Sequence, residues 1–111
     1  MNFTTNSYLV IVPETKHETY PRLTDHEVVS LRRSGTKVYS RKQIEQHIQR
    51  TYLLARHAAW AFSYALDTIT TDPQKAAKAE RALNRAEATH SKWCERERLL
   101  NRSGLFQKQA V

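Results

Sequence analysis

Cysteine, glycine and proline are all scarce in this chain of 111 residues, at Cys 1, Gly 2 and Pro 3. The one thiol, Cys94, cannot close an internal disulfide, so packing must hold the fold and a reducing, cytoplasmic setting is expected. With only Gly35 and Gly104, the chain has no Gly-rich loop to cradle a phosphate. Long apolar runs are missing too. None approaches the ~20 residues of a membrane-spanning helix, so no membrane partner is expected. Tyr8–Val12 is too short, and lacks the basic flank, for a signal peptide at Met1.

A catalytic set is also missing. His17, His26, His47, His57 and His90 fall on separate elements or faces, and no Ser or Cys has a nucleophile context. His90 and Cys94 are helical neighbours four apart, but zinc requires three or four ligands and no second pair is evident. The expectation is a non-enzyme with no cofactor and no metal, in which His90 lies beside an inert thiol.

What the chain has is positive charge: Lys and Arg number 18 against 11 Asp and Glu, a net charge of +7. The pI is near 9.9. Such an excess suits a polyanion such as nucleic acid, or an acidic protein surface.

Residues 1–111 are read as a single domain: a mixed segment over 1–39, a helical hairpin over 40–104 and a tail over 105–111. Met1–Ser7 is polar and reads as a loose end. Tyr8-Leu9-Val10-Ile11-Val12 is β-branched and stops at Pro13, which predicts a short strand with both faces covered. Glu14–Arg22 reads as loop. Thr24 and Glu27 form a capping box with Leu23 and Val28 as its hydrophobic staple, so a short helix starts there. Arg32 and Arg33 suit its last turn and Gly35 its stop. Thr36–Tyr39 is extended and can pair with Tyr8–Val12 as a minimal two-stranded β-ribbon.

Ser40 and Gln43 repeat the capping box, with Tyr39 and Ile44 as staple. Ile44, Ile48, Tyr52, Ala55, Ala59, Phe62, Leu66 and Ile69 then recur at helical spacings, the pattern of a packed seam. Thr71 and Asp72 form the turn, where Asp72 caps a second helix and Pro73 takes its first position. That helix carries Ala76, Ala79, Leu83, Ala86, His90, Trp93, Glu97 and Leu100 as its seam. Gly104 is its expected stop, with Leu105 folding back on Leu100. The fold class is therefore mainly α: a long antiparallel helical hairpin with a short N-terminal helix and the ribbon.

The stretch Leu23–Ile48, with DHEVVSLRRSG followed by YSRKQIEQHI, resembles the opening of helix-turn-helix domains. The resemblance implies DNA reading, but the motif needs a glycine turn and a further helix after the second. Here Ile48 runs on into Gln49-Arg50-Thr51-Tyr52 without a break.

Two surfaces remain as candidates. On the second long helix Lys78, Arg81, Arg85, Lys92 and Arg96 fall within an arc of roughly 60°. Such a row suits phosphates or an acidic protein groove; its bland alternative is a solvated face. No aromatic is interleaved, which argues against single-strand stacking. On the first long helix Leu53, Trp60 and Tyr64 form a stripe roughly 120° from the seam. The Tyr8–Val12 strand is the expected cover, which would make the stripe core. Uncovered, it is a docking site for a second copy or another protein. The functional expectation is a basic non-enzymatic protein associated with nucleic acid. The alternative is an interaction module or inhibitor, in the style of a phage or mobile-element accessory protein, docked on a larger nucleic-acid-processing machine.

Overall fold

The computed structural model describes residues 4–67 and 72–109, with 104–109 as helical backbone only. In chain order the elements are β1 (Asn6–Ser7), β2 (Leu9–Ile11), β3 (Glu18–Thr19), β4 (Arg22–Leu23), α1 (Asp25–Arg33), β5 (Lys37–Tyr39), α2 (Arg41–Asp67) and α3 (Pro73–Gln109). The protein is mainly helical, and α2 and α3 pack as the expected hairpin with a small β part. It divides into two compact units, one of Met1–Glu45 with Glu95–Val111 and the other of Gln46–Cys94.

In the first unit the start and stop of α1 and the start of α2 act as their chemistry requires. The Glu27 amide donates to the Thr24 hydroxyl at 3.3 Å and the Thr24 amide to the Glu27 carboxylate at 3.1 Å, closing the capping box of α1. The Thr24 amide and, at 3.0 Å, the Thr24 hydroxyl both donate to the Glu27 carboxylate and hold that carboxyl below its ordinary pKa, the backbone bond contributing most. At the other end Gly35 sits at φ 88°. Its amide donates to Arg32 O at 3.2 Å and that of Thr36 to Leu31 O at 3.1 Å, a Schellman ending. Ser40 and Gln43 close the second box, Ser40 N–H to Gln43 Oε1 at 2.8 Å and Gln43 N–H to Ser40 Oγ at 3.2 Å. Arg32 does more than complement a helix dipole. Its guanidinium donates to Val38 O and to Gln43 Oε1, each at 2.9 Å, tying the end of α1 to β5 and to the start of α2.

The ribbon is larger than expected. β2 pairs antiparallel with β5 (Val10 opposite Val38), and β3 adds to its other edge, giving the order β3-β2-β5. The stretch Glu14–Arg22, expected as loop, thus carries β3 and the start of β4. Asn6 and Ser7, expected in a loose end, form β1 against Leu23 and Arg22 of β4. These additions are two-residue strands, too short for alternation to announce them. Tyr8, Val10, Leu23, Val28 and Val38 form one buried cluster with Leu31 against it. Leu9 points to the opposite face of the strand by alternation and has 0% exposure, so both faces of β2 are covered. Ile44 and Leu100 of the same unit are equally buried. The end of α3 is anchored here: Ser103 Oγ donates to Tyr20 O at 2.7 Å, and Arg41 bonds Asn101.

In the second unit Asp72 Oδ1 accepts the Lys75 amide at 3.2 Å, the expected cap of α3. His47 stacks on Trp93 and Thr51 meets His90, so α2 numbers rise as α3 numbers fall and the helices are antiparallel. The expected α3 seam is correct: Ala76, Ala79, Leu83, Ala86, His90 and Trp93 of this unit are buried or half-buried, as are Glu97 and Leu100 of the first. The α2 seam is shifted in part. Of its expected members Ile44, Ile48, Ala55, Ala59 and Phe62 are buried or half-buried, but Tyr52 and Leu66 stand out at 51% and 46% exposure, and Thr51, Ala58 and Ala65 are turned inward with the rest. Small residues lie on both sides of this contact, Thr51, Ala58 and Ala65 on α2 and Ala76, Ala79 and Ala86 on α3. Small side chains let two backbones approach, and that gain outweighs placing the bulkiest residues inward. A sequence reading that follows size chooses the neighbouring register. Ile69 and Thr71 lie outside the described residues, as does the Leu105 side chain. Gly104 does not stop α3, whose backbone continues helical to Gln109. A glycine inside a helix costs only about 1 kcal/mol relative to alanine, which is tolerable within a longer helix.

Candidate interaction surfaces

The basic row on α3 keeps some of its members and loses one. Lys78, Arg81, Arg85 and Lys92 are exposed. None of them makes an ion pair among the described residues. They lie away from the Ala76–Trp93 seam, as helical spacing demands. Arg96 does not belong with them. It is buried, 8% exposed, and its Nε donates to Glu18 Oε1 of β3 at 2.5 Å. The same arc of helix that faces water along 78–92 faces the sheet at 96. Burial and the Glu18 carboxylate both raise the Tyr20 hydroxyl above its ordinary pKa in this neighbourhood. Only the partner β3, itself illegible in the sequence, reveals that Arg96 is structural.

The stripe on α2 is uncovered. Leu53, Trp60 and Tyr64 are 54%, 60% and 74% exposed. At these exposures the expectation that they are core is incorrect. Tyr8 and Val10 of the expected cover lie in a cluster of their own unit with Leu23, Val28 and Val38. Leu54 is exposed beside the stripe, and Leu53, Arg56, His57 and Trp60 line a shallow depression. Arg56 lies over the Trp60 ring at 5.8 Å, and His57 meets it edge-on at 6.4 Å. From Gln46 to Leu66 the sequence holds no carboxylate. Arg50, Arg56 and Asp67 carry no motif in the sequence, and His57 stands there only as an isolated histidine. The available signal is a second four-three alternation, Gln46, Arg50, Leu53, His57, Trp60, Tyr64 and Asp67, on the side of α2 opposite its seam.

A third group lies between α2 and α3. Thr51 Oγ1 is 2.8 Å from His47 O, 3.1 Å from Ile48 O and 3.0 Å from His90 Nδ1. The hydroxyl has one proton, and in a helix it goes to the carbonyl a turn back. His90 Nδ1–H therefore donates to Thr51 Oγ1, and His90 Nε2 lies 3.6 Å from Cys94 Sγ. This chain of bonds satisfies a half-buried histidine. No group of three or more His, Cys, Asp or Glu able to hold a metal ion occurs among the described residues. Nor, among them, is any helix long and apolar enough to cross a membrane.

No protein-family model, no curated protein and no solved structure matches the chain.

Proposed function

We propose that the chain is a small, non-enzymatic docking protein whose contact surface is the outer face of α2. The observation that carries this reading is the exposure of Leu53, Trp60 and Tyr64 along one helical stripe. Scattered exposed leucines are ordinary, but aromatic and aliphatic side chains aligned on one face mark an interface, and tryptophan and tyrosine are its usual anchors. The lone cysteine supports a cytoplasmic setting.

The test places a photoreactive phenylalanine analogue at Tyr64 in the full chain, irradiated in the expressing cell. A discrete adduct that disappears when Trp60→Ala is added supports docking through this face. Absence of any Trp60-dependent adduct overturns it.

A second reading is contact with a polyanion, favoured by the exposure of Lys78, Arg81, Arg85 and Lys92 without ion-pair partners among the described residues. Phosphate neutralisation by such a row releases counterions, so affinity for duplex DNA or RNA should fall steeply and linearly on a log–log plot against salt. A flat plot removes this reading. An inhibitor docked on a nucleic-acid-processing assembly would use both helices, the apolar face of α2 on protein and the row of α3 on the nucleic acid.

A further inference from the structure

We propose that the outer face of α2 is covered by the same face of a second copy of the chain, with the two α2 helices antiparallel about a two-fold axis between Ala58 and Ala59. The inference rests on reading that face as an interface, and it names the occupant.

The spacing comes first. Gln46, Arg50, Leu53, His57, Trp60, Tyr64 and Asp67 alternate by four and three, which is the repeat of a seam that takes another helix as its complement. All of them lie on α2, within the unit Gln46–Cys94. The burial pattern shows that they are not the hairpin seam: Thr51, Ala58 and Ala65 face inward, and Leu53, His57, Trp60 and Tyr64 are exposed.

Antiparallel self-pairing then makes each layer complementary. Leu53 opposes the second copy's Tyr64, an aliphatic side chain on a ring. His57 opposes the second copy's Trp60. That combination already occurs inside this protein, where His47 stacks on Trp93 with centroids 4.0 Å apart and an interplanar angle of 3°. At each end Arg50 opposes the second copy's Asp67. Both residues are exposed, and neither forms an ion pair among the described residues. Leu54 and Ala61 flank one side and widen the apolar contact. Arg56, on the other flank, is drawn over its own Trp60 ring. A parallel pair fails the same comparison, because Arg50 would face Arg50 and Asp67 would face Asp67 across the seam, and like charges directly opposed are destabilising. The face carries at its two ends the opposite charges that its own reversal requires. That is charge complementarity to itself rather than to a foreign partner.

Sedimentation equilibrium of the full chain, from low micromolar to several hundred micromolar, decides the matter. A species of twice 12.9 kDa is expected. Trp60→Ala should weaken it at least ~30-fold, the loss typical of a buried aromatic anchor. Circular dichroism should not change, because Trp60 is exposed in the single chain. Arg50→Asp alone and Asp67→Arg alone should each weaken the dimer by about 10-fold, and the double variant should recover the parent affinity within a few-fold. Only the antiparallel register yields that rescue. The photoadduct from position 64 should map to the second copy's Leu53 and its neighbours.

A mass of 12.9 kDa throughout overturns the inference, as does a dimer indifferent to Trp60→Ala or one not rescued by the double charge exchange. If the chain stays monomeric while position 64 yields Trp60-dependent adducts with another protein, self-pairing is lost and the docking function stands. If no Trp60-dependent adduct forms at all, both are lost.

Discussion

The hydroxyl of Thr51 lies 3.0 Å from Nδ1 of His90, joining the two long helices through a polar contact in the middle of an alanine-lined seam. Thr51 is 6% exposed, so its hydroxyl is buried and its bonds to His47 O and Ile48 O offset that burial. Thr51→Val keeps the shape and removes the oxygen, leaving His90 Nδ1–H without its acceptor. The variant should lose about 1–3 kcal/mol in a urea melt, the cost of stranding a half-buried donor, and Thr51→Ser should lose less. A Thr51→Val variant as stable as the parent would show that water satisfies His90 equally well.

The register of α2 has its own test. Ala65 is 1% exposed, whereas its larger neighbour Leu66 is 46% exposed. Ala65→Leu should cost about 1–3 kcal/mol by forcing the helices apart. Leu66→Ala should cost less than about 1 kcal/mol in the dilute chain, since little of it is taken from water. The opposite ranking in parallel denaturant melts would restore the seam suggested by residue size.

Arg96 should behave as a structural residue. Arg96→Met removes the partner of Glu18, whose side chain keeps 31% exposure and so recovers some hydration. The loss expected in a melt is about 1–3 kcal/mol, below the value for a fully buried pair. Glu18→Gln together with Arg96→Met should cost less than the sum of the two, because each single change strands the other member.

Charge reversal on the exposed row should do the reverse. Lys78→Glu, Arg81→Glu and Arg85→Glu in one variant should leave the melt nearly unchanged, because exposed helix charges contribute little to stability. If the row contacts phosphates, binding to unrelated nucleic acids should fall alike and the salt slope should drop by about three. Equal binding by parent and variant would leave the row as a solubilising face.

Acid should loosen the start of α1. The Glu27 carboxyl is held below its ordinary pKa by hydrogen bonds from the Thr24 amide and hydroxyl. A group with a lowered folded-state pKa contributes stability that is fully present above its unfolded-state pKa. That contribution is lost as pH falls through the unfolded value to the folded one. Glu27→Gln, which still accepts the Thr24 amide but does not titrate, should flatten this part of the stability–pH curve. A curve identical to the parent would mean that other carboxylates set the acid limb.

Four helix boundaries were legible from local chemistry, whereas the stop expected at Gly104 was not one. Thr24 with Glu27, Ser40 with Gln43, Asp72 with Pro73, and Gly35 each satisfy or end a turn using atoms within a few residues, so sequence alone determines them. The α3 seam was legible for a related reason: one face of that helix is apolar and the rest charged, leaving a single choice. On α2 the apolar residues run nearly all round, and periodicity admits more than one register. The choice fell to the closest approach of two backbones, which exists only once α3 is in place. That choice sent Thr51 and Ala65 inward and turned Tyr52 and Leu66 outward. Arg96 was decided in the same way. Its place on the arc with Lys92 follows from helical geometry, but its burial follows from Glu18, 78 residues away in the chain on a two-residue strand. Hydrogen bonds within a turn are written in neighbouring residues, while burial depends on which distant surface arrives.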